Sequence, residues 1–312
     1  MEEKRYNQFS KHLKDKFGAK VYKITLDAGF SCPNRDGTIS NCGCIFCDDG
    51  GSFSQAHSNL LSIEEQVRIG AETLSKRFNA KKFMSYFQAF SNTYKPVGEL
   101  EKIYKASLNH PDIVGLSIGT RPDCVDDDKL KLISSFCKDY YTWVEYGLQS
   151  VHDETLKKIN RGHDYKCFLE AYEKTKKYDI NICLHVILNL FETYEEMMET
   201  AKTIAQLEPE GVKIHMLCAL EGTKLADMYK NGEIDFMSED EYVNTVCDFL
   251  EYLPPKTTIH RLAGNGLRTE LIAPRWIGKK LDCLNKIDRE FLRRDSRQGS
   301  KFNLLNSIKS VK

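Results

Sequence analysis

Short runs of β-branched and aromatic residues recur along the chain, separated by stretches whose apolar positions return every three or four residues. That change of period predicts strands alternating with helices. Six strands are expected: Val21 to Leu26, Phe83 to Ala89, Ile113 to Ile118, Thr142 to Leu148, Ile180 to Leu188 and Gly211 to Leu217. Between them, Ser62 and Glu65 form an S-x-x-E capping box opening a helix that reaches Phe78. Thr193 and Glu196 repeat the device after the fifth strand, and Asp126 caps a helix after the third. Helical periodicity also covers Glu99 to Leu108 and Asp164 to Lys177. Repeated βα units make a parallel sheet, so the expected fold class is α/β: a partial (β/α)6 TIM-like barrel of parallel strands. Its βα loops open together at the carboxyl ends of the strands, where reactive groups collect.

Past the sixth strand the pattern changes. A helix is expected near Glu239 to Tyr252, then a strand-like TTIHRLAG, then a final helix near Leu281 to Arg294. This divides the chain into a barrel over residues 1–218 and a C-terminal α+β extension over 219–312 packed on it. No repeat, low-complexity run or Gly/Ser-rich linker suggests independently tethered domains.

Composition narrows the picture. With 41% hydrophobic and 29% charged residues, the chain is ordinary for a globular protein and unlike a disordered or collagenous one. The longest apolar stretch, Ile182 to Phe191, is interrupted by His185 and Asn189 and is too short to cross a bilayer. The N-terminus has no signal-peptide core, so a cytoplasmic location and no membrane partner are expected. Basic and acidic residues balance at 45 each, so net charge does not advertise nucleic-acid binding. Arg289 to Lys312 nonetheless carries seven basic residues against two acidic ones, a solvated tail or a phosphate contact.

The cysteines change the picture most. Eleven is an odd number and argues against a complete disulfide framework. Seven are scattered singly, as small core residues usually are. The other four, Cys32, Cys42, Cys44 and Cys47, crowd into sixteen positions just after the first strand, and packing does not account for that. Only Cys44-x-x-Cys47 has zinc-knuckle spacing, and no second pair follows, although His57 would complete a zinc set on paper. A ferredoxin-type cluster takes four thiolates at spacings this run lacks. Three thiolates would leave one iron open to a small molecule.

The run CPNRDGTISNCGCIFC, with C-x11-C-x2-C spacing and Phe46 before the last cysteine, resembles the cluster loop of the YhcC/YtqA-like branch of the radical S-adenosylmethionine (SAM) superfamily, related to the Elongator catalytic subunit. The likeness continues through YFQAFSNTY at Tyr86, VGLSIGTRPDC at Val114, VEYGLQS at Val144, NRGH at Asn160, VKIHML at Val212 and IHRLAG at Ile259. It implies a [4Fe-4S] cluster on Cys32, Cys44 and Cys47, with Cys42 standing where the family has a small residue. It further implies SAM lying across the strand ends, against Ser91, Asn92 and Thr93, against Thr120 and Arg121, against Glu145 and Gln149, and against Arg161. In those roles Gln149 would bond the ribose and Arg161 the cofactor carboxylate. Where relatives carry a glycine-rich turn after the fifth strand, this chain reads Asn189-Leu190-Phe191-Glu192, leaving Phe191 as the aromatic for adenine. Glu145, inside a barrel, needs a partner or a proton. His185, His215 and His260 read as hydrogen-bonded core histidines. The branch implies an external one-electron donor such as flavodoxin or ferredoxin. Its substrate would be the C5 side chain of wobble uridine in transfer RNA (tRNA), shortened from carboxymethylaminomethyl to aminomethyl, with Lys213, Arg261, Arg268, Arg275, Arg293 and Arg294 for phosphates. A small metabolite or porphyrin substrate, or a non-enzymatic metal-binding protein, are the other readings.

Overall fold

A computed structural model describes residues 4–51, 61–264 and 270–303; His57 and Arg268 lie outside these residues. The strands are β1 (Val21–Leu26), β2 (Lys82–Phe87), β3 (Ile113–Thr120), β4 (Tyr141–Gln149), β5 (Asn181–Leu188), β6 (Gly211–Met216), β7 (Ala219–Leu220), β8 (Thr258–Arg261) and β9 (Leu271–Ala273). Seven of them form one sheet in the order β1-β2-β3-β4-β5-β6-β8, every pair parallel, curled into a half-barrel. The α/β partial barrel is therefore present. Its seventh strand comes from the TTIHRLAG segment placed in the extension, so the sheet runs on past residue 218. β7 and β9 make a separate two-stranded antiparallel ladder.

Helices follow the strands and cover the outer face. Val144, Tyr146 and Leu148 of β4, with Leu116 and Ile118 of β3 and Ile182, Leu184 and Val186 of β5, point outward into the main core. Because successive residues face opposite sides, Trp143, Glu145, Gly147 and Gln149 point inward. Helix starts follow the capping signals: Ser62 accepts from the Glu65 amide, Asp126 from Lys129, Asp164 from Cys167, and Thr193 with Glu196 forms the full reciprocal box.

The barrel is open between β1 and β8, and the first helix, Phe9–Phe17, packs against both. The residues ahead of it extend the sheet edge: the Ile259 amide donates to the Asn7 carbonyl at 2.7 Å, and Gln8 bridges Ile259 in parallel. Phe9 and Leu13 then join Met84, Trp143 and Cys183 in a second apolar cluster that plugs the amino-terminal end of the barrel. The interior is thus dry at one end. Its chemistry must enter from the other end or from the open edge.

Candidate active site

At the carboxyl ends of the strands lies a cavity with Cys32, Cys44 and Cys47 all in its wall. The sixteen-residue loop is shaped by its own backbone: the Arg35 amide donates to the Cys32 carbonyl (2.8 Å), Gly43 to Asn34 (2.7 Å) and Cys47 to Cys44 (2.9 Å). Gly43 has φ +70°, and a Cβ there would lie 3.0 Å from Arg35 Cγ, so glycine suits the position on both counts. Cys42 is exposed and does not line the cavity. Its side chain leaves the loop on the solvent side.

The loop is stitched to the NRGH turn. Asn34 Nδ2 donates to the Asn160 carbonyl (2.6 Å), Asn160 Nδ2 to the Gly43 carbonyl (2.7 Å), and the Ile45 amide to the Ile159 carbonyl (3.1 Å). Asn160 takes φ +54°, which asparagine tolerates better than most residues. This docking brings Arg161 beside the cysteines: one terminal nitrogen reaches Cys44 Sγ at 3.6 Å and the other donates to the Gly147 carbonyl at 2.5 Å. Arg121 forks onto Asp123 at 2.8 and 2.6 Å and donates to the Arg161 carbonyl at 2.8 Å.

These two guanidiniums set the local electrostatics. Burial pushes the Cys32 thiol up, while Arg121 and Arg161 pull against it. Burial would also raise Asp123, but the Arg121 fork outweighs it and holds the carboxylate below its ordinary range. His163 is driven down to about 3 by burial and by Arg161 and Arg121, so it is neutral at physiological pH. Among the described residues, Arg161 is buried without a carboxylate in hydrogen-bond contact, its Nε has no partner, and Gln149 Oε1 is also unpartnered. Buried polar groups are rarely left so.

The predicted residues divide into two groups. Thr120, Arg121, Glu145, Gln149 and Arg161 line the cavity with the three cysteines. Ser91, Asn92 and Thr93 stand behind the wall, their side chains engaged internally: Ser91 and Thr93 hydroxyls meet Thr120 Oγ1 at 3.0 and 2.6 Å, and Asn92 Nδ2 donates to the Gly119 carbonyl at 2.8 Å. They set the position of Thr120 and Gly119. Phe191 is also outside the cavity wall, its ring 4.1 Å from Lys158 Nζ, so it does not serve as the expected adenine platform.

Glu145 lies deeper and is fully buried. Its carboxylate accepts from Lys23 Nζ (2.5 Å), Ser117 Oγ (2.5 Å), Tyr86 Oη (3.2 Å) and Lys213 Nζ (3.1 Å), with His185 Nε2 at 2.7 Å. Burial alone would raise its pKa; Lys213, Lys23 and His185 outweigh that and hold it well below the ordinary range. Lys213 is itself driven by burial from 10.5 to about 7, with Glu145 opposing and Arg261 and Lys23 reinforcing the drop. Glu145 is therefore a structural ion hub beneath the cofactor positions. With Cys183 and His185 it offers three ligand atoms within 4.8 Å, but the two lysines already supply its positive charge. The hub's lysines sit inside strands, and nothing in the alternation distinguished them from solvated positions. Lys213, expected at phosphates, belongs to this hub; Arg293 and Arg294 are likewise engaged, on Glu290 and Asp248.

Residues 32–204 match the Radical SAM superfamily, and residues 209–293 match the Radical_SAM C-terminal domain. The chain belongs to the radical SAM superfamily. YtqA of Bacillus subtilis, an uncharacterized protein, is 41% identical over 304 residues, covering 97% of this chain and 94% of its own. YhcC of Escherichia coli is 35% identical over 301 residues, 96% of each chain. Elongator complex protein 3 of Mus musculus matches at 27% over 52% of this chain and 30% of its own. Among solved structures, archaeal Elp3 of Methanocaldococcus infernus superposes with a TM-score of 0.66 at 18% identity, over 89% of this chain and 64% of that one, which establishes the shared fold. The superfamily implies a [4Fe-4S] cluster and SAM. The radical SAM chain described here fits both groups: three thiol donors leave a fourth coordination position open, two buried guanidiniums offset thiolate charge, and Arg161 and Gln149, each with a buried polar atom lacking a hydrogen-bond partner among the described residues, line the same cavity. Among the described residues, no helix is long and apolar enough to cross a membrane.

Proposed function

We propose that this protein holds a [4Fe-4S] cluster on Cys32, Cys44 and Cys47 and SAM against Thr120, Arg121, Gln149 and Arg161, and that it modifies the C5 side chain of tRNA wobble uridine, shortening carboxymethylaminomethyl to aminomethyl. The observation that carries the cofactor assignment is the convergence of the three cysteines, Arg161 and Gln149 on one cavity. When bound, the cluster and SAM supply reductive cleavage of the sulfonium to a 5′-deoxyadenosyl radical. Arg161 and Gln149 orient carboxylate and hydroxyl groups. The apolar plug at the amino-terminal end of the barrel closes one route for bulk water into the interior. Cys32 and Cys47 are partly exposed, which supports electron delivery from a docked flavodoxin or ferredoxin.

The tRNA assignment rests on the likeness to the Elongator-related branch. Its test is nucleoside mass spectrometry of tRNA from a deletion strain. Carboxymethylaminomethyluridine is expected to accumulate at the expense of the aminomethyl form; an unchanged wobble-uridine profile rejects this substrate and leaves the radical chemistry standing.

Gly147 gives a test of the cofactor position. A Cβ there would lie 2.6 Å from an Arg161 terminal nitrogen and 2.8 Å from Gln149 Nε2, so both side chains must move. Overpacking of this kind costs about 1–3 kcal/mol, so Gly147→Ala is expected to weaken SAM binding by roughly tenfold while cluster absorbance is retained. Equilibrium dialysis of reconstituted protein with labelled SAM measures it, and unchanged affinity contradicts the placement.

A further inference from the structure

A second cavity opens at the gap between β1 and β8, walled by the first helix, β8 and the final helix, Lys280–Arg293. It shares Tyr86, Lys213 and Arg261 with the strand-end cavity, so these residues form the partition between the two. Arg261 ends β8, in register with Lys213 on β6.

The charges at this partition do not balance. Lys23 and Lys213 share the single Glu145 carboxylate. The Arg261 and Lys280 side chains, both part-buried, have no hydrogen bond or ion pair among the described residues, although both line this cavity and lie close enough for the charge of one to act on the other. Burial lowers the Lys280 pKa, and the neighbouring Arg261 charge lowers it further. A third group is also unsatisfied. The His260 side chain is 1% exposed and stacked on Phe9 with ring centroids 3.7 Å apart; among the described residues neither ring nitrogen has a hydrogen-bond partner, Nδ1 lying 3.9 Å from Glu145 Oε1. Two like charges left unpaired in a part-buried cleft, next to a polar ring without partners, are unfavourable unless an anion completes the set.

We propose that the junction of the two cavities is an oxyanion subsite, in which Arg261 and Lys280 bind a carboxylate or phosphate carried by the substrate. Arg261 supplies the planar fork and Lys280 a second charge. The proposal rests on reading the strand-end cavity as the SAM site, because the shared partition puts the anion at that cavity's deep end. A substrate bound there would present its acid group to Arg261 and the group next to that acid to the strand ends. Selectivity for acidic substrates follows.

Phenylglyoxal labelling of the full-length, anaerobically reconstituted protein tests this, with peptide mass spectrometry reading each arginine separately. Glycine is the carboxylate probe and inorganic phosphate the phosphate probe. Exposed Arg275 serves as the internal reference for general ionic effects. One of the two probes is expected to slow Arg261 labelling by about threefold at twice its dissociation constant, leaving Arg275 unchanged. The effective probe identifies the anion class. Lys280→Met is expected to abolish the protection, and because it removes an unpaired charge it should not destabilise the fold. Arg261→Lys tests the fork separately: thermal unfolding with the effective probe should show a smaller rise in midpoint than the wild type. Arg261 labelling that slows no more than Arg275 with either probe overturns the proposal, as does full protection retained in Lys280→Met. Neither readout requires turnover. A protein that cleaves SAM but shows no protection refutes the subsite alone, whereas protection without SAM cleavage refutes the cofactor reading alone.

Discussion

Alanine at Cys32, Cys44 or Cys47 is expected to eliminate both the brown cluster absorbance and 5′-deoxyadenosine formation, whereas Cys42→Ala keeps both. All three cysteines stand in the wall of the strand-end cavity, and Cys42 is exposed outside it. Removing a supporting neighbour of a metal ligand typically costs roughly 10–100-fold in metal affinity or activity, so loss of a ligand from a three-thiolate site should exceed that range. Anaerobic reconstitution, visible absorbance and chromatography of the nucleoside product measure the four variants side by side. A colourless Cys42→Ala protein, or a fully coloured Cys44→Ala protein, would reassign the ligand set.

Glu145→Gln should produce the largest loss of stability. The substitution keeps the shape of the side chain and removes the one carboxylate that Lys23 and Lys213 share inside the barrel. Removing one partner of a buried pair is strongly destabilising, by about 3–5 kcal/mol, because the other charge is left uncompensated. Denaturant unfolding of the apoprotein gives the value, and a loss below about 1 kcal/mol would mean the hub is hydrated rather than buried. Adding Lys213→Met should recover part of the loss, since the two residues are coupled.

The hub also sets a pH signature. Lys213 titrates near 7 in the fold against 10.5 ordinarily. Between those values the unfolded chain binds the proton and the folded one does not, so this group makes stability rise as pH climbs from about 7 towards 10.5. Glu145 has the opposite lever: its depressed pKa contributes stability above the ordinary carboxylate value that is lost on acidification. Lys213→Met should flatten the alkaline rise and also shrink the acid limb, leaving the part of the Glu145 depression that Lys23 and His185 sustain.

Much of the architecture was legible because local signals agreed with one another. The six barrel strands emerge within two residues of their expected bounds, and the helix Glu239–Tyr252 matches at both ends, where the Ser238 and Glu241 capping box begins it. The first helix was not expected, although its apolar residues Phe9 and Leu13 plug the barrel. Its role depends on partners more than a hundred residues away. TTIHRLAG read correctly as strand-like, but sequence order alone could not reveal that β8 continues the main sheet beside β6.

The site was legible where residues carry distinctive chemistry. The resemblance to the family's cluster loop set Cys42 apart from the other three, and the alternation on β4 placed Glu145, Gly147 and Gln149 on one face. Side-chain partners within the wall were not legible in the same way. Ser91, Asn92 and Thr93 looked like ligand groups, yet their hydrogen bonds close on Thr120 and Gly119. Phe191 takes φ +61° and does not line the cavity. Lys213 was expected at phosphates and Lys23 carried no expectation, because only the curling of the sheet brings both onto one carboxylate.

The central claim is that Cys32, Cys44 and Cys47 hold an iron-sulfur cluster with one open position. Metal and acid-labile sulfide content of anaerobically isolated protein tests it most directly. Iron and sulfide in equal amounts, about four of each per chain at full occupancy, are predicted. Stoichiometric zinc with no sulfide would contradict it.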